Sequence, residues 1–426
     1  MSRRVLIISY YFAPQNAIGA VRPTKLAKYL ARQGVEVTVL CGAPLSAARD
    51  PLLARDAAGL PDVRVITEHS LLHRWKTRSK PSPVSAASAV MPTAVQSRKN
   101  PALDAVYLWL SDRADRAFAR TCIRALRTLP GPYDAVFSCY GPAGVHIAAR
   151  YARTHGLAKK WIADFRDEPT LPFRWQQGRL KRFVRQVHTD ADVLTTVSQG
   201  TMELMALGAK GRVLPNGFDP EDAQNLPALT LDPVKLHFAY CGQLYVGHSD
   251  LSPLFRAVRA LCDEGACDAS RFCFHYAGRQ GEAFTQQAAK YDLGNTVVDH
   301  GFVLRTESLA LQKAADALLA ATWNTVERHG VVTGKVLEYM LADRPILCCV
   351  SGTVPGSDAR ALVERLRLGA AYEEASDAAD LPALKAYLRA LYDAKFTGAL
   401  NPFQPDREAV SAYDYAQIAQ RLTALL

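Results

Sequence analysis

The run Thr333-Gly334-Lys335-Val336-Leu337-Glu338 brings a hydroxyl, a glycine, an ammonium and a carboxylate together in close succession. Thr333 can cap the start of a helix, and Gly334 lets a ligand approach the backbone closely. First-turn amides and the helix dipole then favour an anion such as a diphosphate, and Lys335 adds positive charge at the same place. Glu338 falls on roughly the same helix face, where its carboxylate can accept hydrogen bonds from ribose hydroxyls. The same residues also describe a capped helix with an ordinary surface Lys and Glu, since short motifs misfire often.

A second group is Asp164-Phe165-Arg166-Asp167, which ends a strand-like run. These side chains can orient a reacting hydroxyl or sugar; alternatively, Arg166 pairs in plane with Asp164 or Asp167 and braces the loop. Ser138-Cys139-Tyr140-Gly141-Pro142 with His146 forms a third group. A cysteine nucleophile needs an adjacent base and a lowered pKa, and neither can be read from these residues. A histidine such as His146 is more often packed than catalytic. Gly278 and Arg279 follow another strand and offer a further cation for phosphate charge. Asp190-Ala191-Asp192 has a metal-binding spacing, yet it precedes the apolar run 193–197 and so sits at the amino end of a strand. It reads as structural, and no metal is expected.

The elements that must hold these residues alternate regularly. An apolar run at 5–9 is followed by a turn-rich loop, then by a helical pattern in which Pro23 suits the first turn and Gly34 the end. A strand at 35–40 completes a βαβ unit, which implies a parallel sheet. Further strands are expected at 63–67, 134–138, 161–165, 193–197 and 212–215, and a second series at 236–240, 272–277, 296–299, 317–321 and 346–350. This is an α/β chain with two Rossmann-like doubly wound lobes. The expected division is 1–219, a linker at 220–235, a second lobe at 236–406, and a terminal helical run at 407–426 packing back on either lobe. In open sheets of this kind ligands bind beyond the carboxyl ends of the strands, so a cleft between the lobes is the expected site. The segment 69–100, rich in Ser, Pro, Ala, Lys and Arg, breaks the rhythm as either a mobile loop or a flap facing an acceptor or a membrane.

Composition agrees with that division. A chain of 426 residues exceeds one ordinary core, and 49% hydrophobic with 22% charged residues is a globular balance. No apolar run nears the roughly 20 residues that span a bilayer. The apolar run after Arg3-Arg4 is too short for a secretion signal, so a cytoplasmic location is expected. The nine cysteines lack zinc-site spacing and read as reduced thiols. A net charge of +10 favours an anionic partner. No nucleic-acid module accompanies it, so peripheral contact with anionic phospholipid on the inner membrane face is the better account.

Several segments, in order along nearly the whole chain, resemble the family-4 retaining glycosyltransferases with the GT-B fold. They are Tyr10-Tyr11-Phe12-Ala13-Pro14 with Gly19 and Arg22, Asp164 to Asp167, Asn216-Gly217-Phe218-Asp219, Tyr240-Cys241-Gly242-Gln243-Leu244-Tyr245, and Gly334 to Tyr339 with Ala342 to Leu347. The resemblance implies a nucleoside-diphosphate sugar donor and transfer with retention, described as front-face attack in which the leaving diphosphate helps take the acceptor proton. It implies no metal and no cofactor beyond the co-substrate. Donor contacts then fall on Gly19, Gly242, Gln243, His248, Gly278, Arg279, Phe302, Val303, Thr333, Gly334, Lys335 and Glu338. Catalytic roles fall on Asp164, Arg166, Asp167 and His146, since relatives sometimes carry a histidine near that position.

The chain departs from the family pattern in three places. Gly330 stands where many members have a Glu near the donor sugar, with Glu327 close by. The loop Val246-Gly247-His248-Ser249-Asp250 has no Lys or Arg, leaving His248 to donate a hydrogen bond. Glu168-Pro169 replaces Pro-Trp, so acceptor preference does not carry over. The expected activity is hexosyltransferase-type, with a polysaccharide, lipid-linked glycan or small molecule as acceptor. The alternatives are a nucleotide-sugar epimerase, which would alter its substrate without an acceptor, and a degenerate partner protein, which would bind donor without turnover.

Overall fold

The computed structural model describes residues 2–44, 49–67, 101–166, 168–169, 174–330 and 332–426. The basic segment 69–100 and the candidate Asp167 lie outside the described residues. The chain forms two compact units. The first comprises Met1–Val197, Met205–Pro215 and Tyr415–Leu426, and the second Ser198–Leu204 and Asn216–Asp414.

The first unit is built on a 7-stranded sheet of β1 (Arg4–Ser9), β2 (Glu36–Gly42), β3 (Asp62–Ile66), β4 (Tyr133–Cys139), β5 (Ala158–Phe165), β6 (Val193–Thr196) and β7 (Gly211–Val213). The order is β3-β2-β1-β4-β5-β6-β7, and every pairing is parallel. Helices cover both faces of such a sheet, which is why Val5-Leu6-Ile7-Ile8 is continuously apolar and wholly buried. The first helix, Ile18–Arg32, starts earlier than the sequence pattern suggested, so Pro23 lies inside it rather than in its first turn. Its end follows expectation. Gly34 has φ +80, the amide of Val35 reaches the Leu30 carbonyl and that of Gly34 reaches Ala31, which is a Schellman closure.

The second unit carries a 6-stranded sheet of β8 (Leu236–Cys241), β9 (Phe272–Ala277), β10 (Val297–Asp299), β11 (Ala317–Trp323), β12 (Ile346–Ser351) and β13 (Gly369–Glu373). Its order, β10-β9-β8-β11-β12-β13, repeats the doubly wound plan. Period-2 alternation divides β8 and β9 between two cores. Phe238, Tyr240, Phe274 and Tyr276 enter one, while Ala239, Cys241 and Ala277 enter the other with Val336, Leu337 and Tyr339. β13 had no counterpart among the expected strands. Gly369-Ala370-Ala371 offers little apolar bulk, and the strand exists because β12 supplies a parallel edge. A Cβ at Gly369 would stand 2.2 Å from the Ile346 carbonyl oxygen, so the pairing depends on glycine there.

The units part between Pro215 and Asn216, ahead of the expected boundary at Asp219. The terminal run is two helices, Arg407–Ser411 and Tyr415–Leu425, assigned to different units. The backbone between them is diverted. Phe218 donates its amide to the Tyr413 carbonyl at 3.0 Å and forms a parallel bridge with Asp414. Tyr415, Ile418, Ala419 and Leu422 then form the buried stripe of the last helix, which packs on Ile18–Arg32. Among the described residues no helix is long and apolar enough to cross a membrane. All nine cysteines are free thiols.

Candidate functional site

In the second unit the helix Gly334–Tyr339 buries Val336, Leu337 and Tyr339 against the sheet, leaving Lys335 and Glu338 on its outer side. The Tyr339 hydroxyl fixes the helix over the end of β8, accepting from the Cys241 amide at 2.9 Å and donating to its carbonyl. The chain then turns at Gly242, whose φ of +108 suits glycine. A Cβ there would stand 3.0 Å from Lys335 Cε, so glycine also makes room for the lysine.

Lys335 Nζ donates to the Gln243 carbonyl at 2.8 Å and lies over the rings of Tyr240 at 5.2 Å and Tyr245 at 5.8 Å. Crowding strips water from the ammonium and lowers its pKa to about 8, against the opposing pull of Glu338. The group is therefore a cation at neutral pH that is poorly solvated and gains from an anion. Thr333 has the extended backbone of an N-cap, but its side chain makes no capping bond, and Thr333 Oγ1 is buried without a partner among the described residues. The helix is short, so Lys335 rather than a helix dipole carries the positive charge. Glu338 accepts from Gln312 Nε2 at 3.0 Å and from Arg305 Nε at 3.4 Å. Arg305 also pairs with the buried Asp222 at 3.0 Å. These bonds set the carboxylate in place while each oxygen keeps a further lone pair.

Other candidates line the same end of the sheet. A Cβ at Gly278 would meet the Gly242 carbonyl at 2.5 Å, so the two turns touch backbone to backbone. Arg279 lies over the half-exposed ring of Phe302 at 4.8 Å, and its buried Nη2 has no hydrogen-bond partner among the described residues. Val303 is partly buried against the core. His248 is exposed and rests on Trp323 at 5.2 Å, with Arg328 on the same indole at 5.4 Å.

Gly330 has a physical explanation. Its φ is +74, and a Cβ would come within 2.6 Å of the Gly200 and Thr201 backbone. Ser198 Oγ donates to its carbonyl at 2.7 Å. No side chain fits at this position, whereas Glu327 close by is exposed.

In the first unit two expectations need correction. Asp164 is fully buried, and its partner is Arg22 rather than Arg166. Arg22 Nε and Nη2 reach the two Asp164 oxygens at 2.9 and 2.8 Å, while Thr195 Oγ1 donates at 2.7 Å. Arg22 also donates to the carbonyls of Leu214 and Pro215 at 2.8 and 2.7 Å. The pair and its hydroxyl donor hold Asp164 ionised below the usual carboxylate range despite burial. It is a brace tying the first helix to the ends of β5, β6 and β7, and it lacks access to a substrate. His146 is also fully buried. Its Nδ1 shares a 2.9 Å hydrogen bond with Ser138 Oγ, its ring packs among Tyr140, Trp161 and Phe165, and burial lowers its pKa to about 3. It is a neutral core residue.

Arg166, by contrast, is partly exposed. Its Nη2 donates to the Tyr140 carbonyl at 3.3 Å, and Cβ atoms at Gly19 and Gly141 would lie 3.1 and 3.3 Å from its guanidinium. The two glycines thus frame it. Asp190 and Asp192 pair with Arg150 and Arg153, which accounts for that motif structurally. Local spacing could not reveal Arg22, Arg305, Gln312 or Tyr245, because each meets its partner through the order of strands.

No family model matches the chain, and no curated protein matches it in sequence. Solved structures do match. Sucrose-phosphate synthase from Thermosynechococcus elongatus aligns at a TM-score of 0.58 and 14% identity, covering 99% of this chain and 98% of its own. A structure described as trehalose-6-phosphate from E. coli bound with UDP-2-fluoro glucose gives 0.58 and 13%, with 99% and 98% covered. WaaG, a glycosyltransferase involved in lipopolysaccharide biosynthesis, gives 0.52 and 13%, with 99% of each chain covered. Two all-parallel sheets in the same doubly wound order, matched over nearly their full length, give this chain the GT-B fold.

Proposed function

We propose that the protein is a glycosyltransferase that takes a sugar from a nucleoside diphosphate and passes it to an acceptor held by the first unit. The observation that carries this reading is Lys335, a poorly solvated ammonium held at the Gly242 turn on the helix that Thr333, its buried hydroxyl without a partner among the described residues, begins and on which Glu338 is oriented. That set suits a diphosphate with a ribose next to it. Support also comes from the fold and from the resemblance of the segments around Gly242 and Gly334 to retaining enzymes.

In this reading Lys335 and Arg279 stabilise charge on the departing diphosphate, while Gln243, His248 and the Phe302-Val303 loop bound the donor. Arg166 is the group proposed to contact acceptor or sugar. Transfer proceeds with retention and without a metal, because the leaving diphosphate takes the acceptor proton and no carboxylate nucleophile is called for. A cytoplasmic protein touching anionic phospholipid completes the reading. Arg113 over exposed Trp109 at 4.5 Å, with Arg116, Arg120 and Arg179 nearby, is the surface that supports it.

Thermal-shift screening against UDP-, GDP-, ADP- and TDP-sugars tests the central claim, since a tight donor raises the melting point by mass action. A shift with one base, followed by release of the diphosphate when acceptor is added, is the expected result. No shift with any base would sink the reading. Altered nucleotide-sugar formed without acceptor would point to an epimerase.

A further inference from the structure

On the second sheet, well apart from the Gly242 turn, three metal-ligating side chains point the same way. His237 and Cys273 are register partners on β8 and β9, and His275 follows two residues later on the same face. All three are buried, and one ligand atom from each lies within 4.8 Å of the other two. His237 Nδ1 is 2.9 Å from His275 Nε2, and Cys273 Sγ is 3.4 Å from that same nitrogen. Their neighbours on this face, Ala239, Cys241 and Ala277, belong to an apolar core, so a polar cluster here is out of keeping with its surroundings.

We propose that His237, Cys273 and His275 form a site for a divalent transition cation of the zinc class. Around a tetrahedral zinc, ligand bonds of about 2.0–2.1 Å to nitrogen and 2.3 Å to sulfur set edges of about 3.4 Å between nitrogens and 3.6 Å between nitrogen and sulfur. The ligands need to open by about half an ångström or less along the two measured edges. The outer partners of such a site are already in place. His237 Nε2 donates to the Asp232 carbonyl at 2.7 Å, which leaves Nδ1 as the lone-pair nitrogen. His275 Nδ1 is 2.9 Å from His300 Nε2, so His300 can hold the His275 ring. The Asp316 carboxylate accepts from the His237 amide at 2.8 Å and is itself paired with Lys395 at 2.8 Å, which steadies the start of β8. Water fills the fourth position.

Loading balances simply. The proton on His275 Nε2 gives way to the metal and reappears on Nδ1, from which it is donated to His300. His300 in turn carries its proton on Nδ1. The Cys273 thiol loses its proton to solvent as the sulfur–metal bond forms, so one proton is released per cation bound.

The test is cobalt titration of the reduced, chelator-stripped full chain, followed by displacement with zinc. Expected are one cobalt per chain, a thiolate-to-cobalt charge-transfer band, tetrahedral visible bands, and loss of all three on adding zinc. Cys273→Ser should remove the charge-transfer band, and His237→Ala or His275→Ala should weaken binding at least 100-fold, with far-ultraviolet circular dichroism confirming that each variant folds. His300→Ala should weaken it about 10-fold. Cobalt bound without a thiolate band, or a band that survives in Cys273→Ser, would overturn the proposal. So would the absence of stoichiometric binding, which would leave a hydrogen-bonded imidazole chain alone.

Discussion

Lys335 donates a 2.8 Å hydrogen bond to the Gln243 carbonyl, which joins the first turn of one helix to the loop that ends β8. If this ammonium grips a diphosphate, Lys335→Ala should lower turnover by 10- to 100-fold or more, as expected for loss of a charge-assisted bond of about 1.5–3 kcal/mol. Steady-state kinetics with the identified donor checks this, and near-normal turnover would remove the assigned role.

The lowered pKa of Lys335, about 8, adds a pH signature. Donor affinity should decline as pH rises through 8, because the free site loses its cation, and Lys335→Arg should flatten that profile. For stability the sign is opposite. A lysine whose folded pKa is depressed destabilises the fold while charged, so stability should rise as pH climbs from 8 toward the ordinary lysine value. Calorimetric binding and denaturant titrations across pH 7–10 read both effects.

Arg22→Ala would leave Asp164 ionised, buried and unpaired. A loss of about 3–5 kcal/mol is expected in urea unfolding, whereas an apolar pair at both positions should recover much of it. If Arg22→Ala unfolded like the parent, the brace would be dispensable.

His146 is held neutral, with a folded pKa near 3. The unfolded chain takes up a proton below pH 6.5 that the folded chain refuses, so the stability this burial permits is present above 6.5 and lost as pH falls toward 3. Up to about 5 kcal/mol of acid sensitivity follows at one site. His146→Gln, which keeps a partner for Ser138, should unfold at lower pH in an acid titration; an unchanged midpoint would contradict the assignment.

Gly330→Ala should destabilise the second unit by at least 1–2 kcal/mol from left-handed backbone strain alone, with added cost from the Gly200 contact. Gly330→Glu should therefore lower the melting temperature without raising turnover. A gain in turnover would show that this loop can move aside to accept a side chain.

Period and turn chemistry carried most of the fold. β9 occupies the predicted residues 272–277, because Phe272, Phe274 and Tyr276 alternate with Cys273, His275 and Ala277 on the opposite face between clear turn signals. β13 escaped, since a strand of small residues is defined by its neighbour's edge rather than by its own pattern. At the site, local chemistry pointed to Lys335 and Glu338, which lie on the outer side of the helix Gly334–Tyr339, whereas the Asp164 partner was misplaced. Proximity in sequence favoured Arg166, but the sheet order carries Arg22 across to Asp164 from the first helix. Burial, which decides the character of His146, is a property of packing that no single motif encodes.

The chain passes from one unit to the other at Val197–Ser198, Leu204–Met205, Pro215–Asn216 and Asp414–Tyr415. Neither unit is therefore a contiguous stretch that can be excised with a single pair of cuts. A fragment ending at Pro215 lacks the helix whose Tyr415, Ile418, Ala419 and Leu422 seal Ile18–Arg32. Such a fragment should be recovered in folded form chiefly when a peptide spanning the last dozen residues is supplied alongside it. The helix Tyr415–Leu425 thus acts as a latch, leaving the first unit incomplete until synthesis has run through the whole of the second.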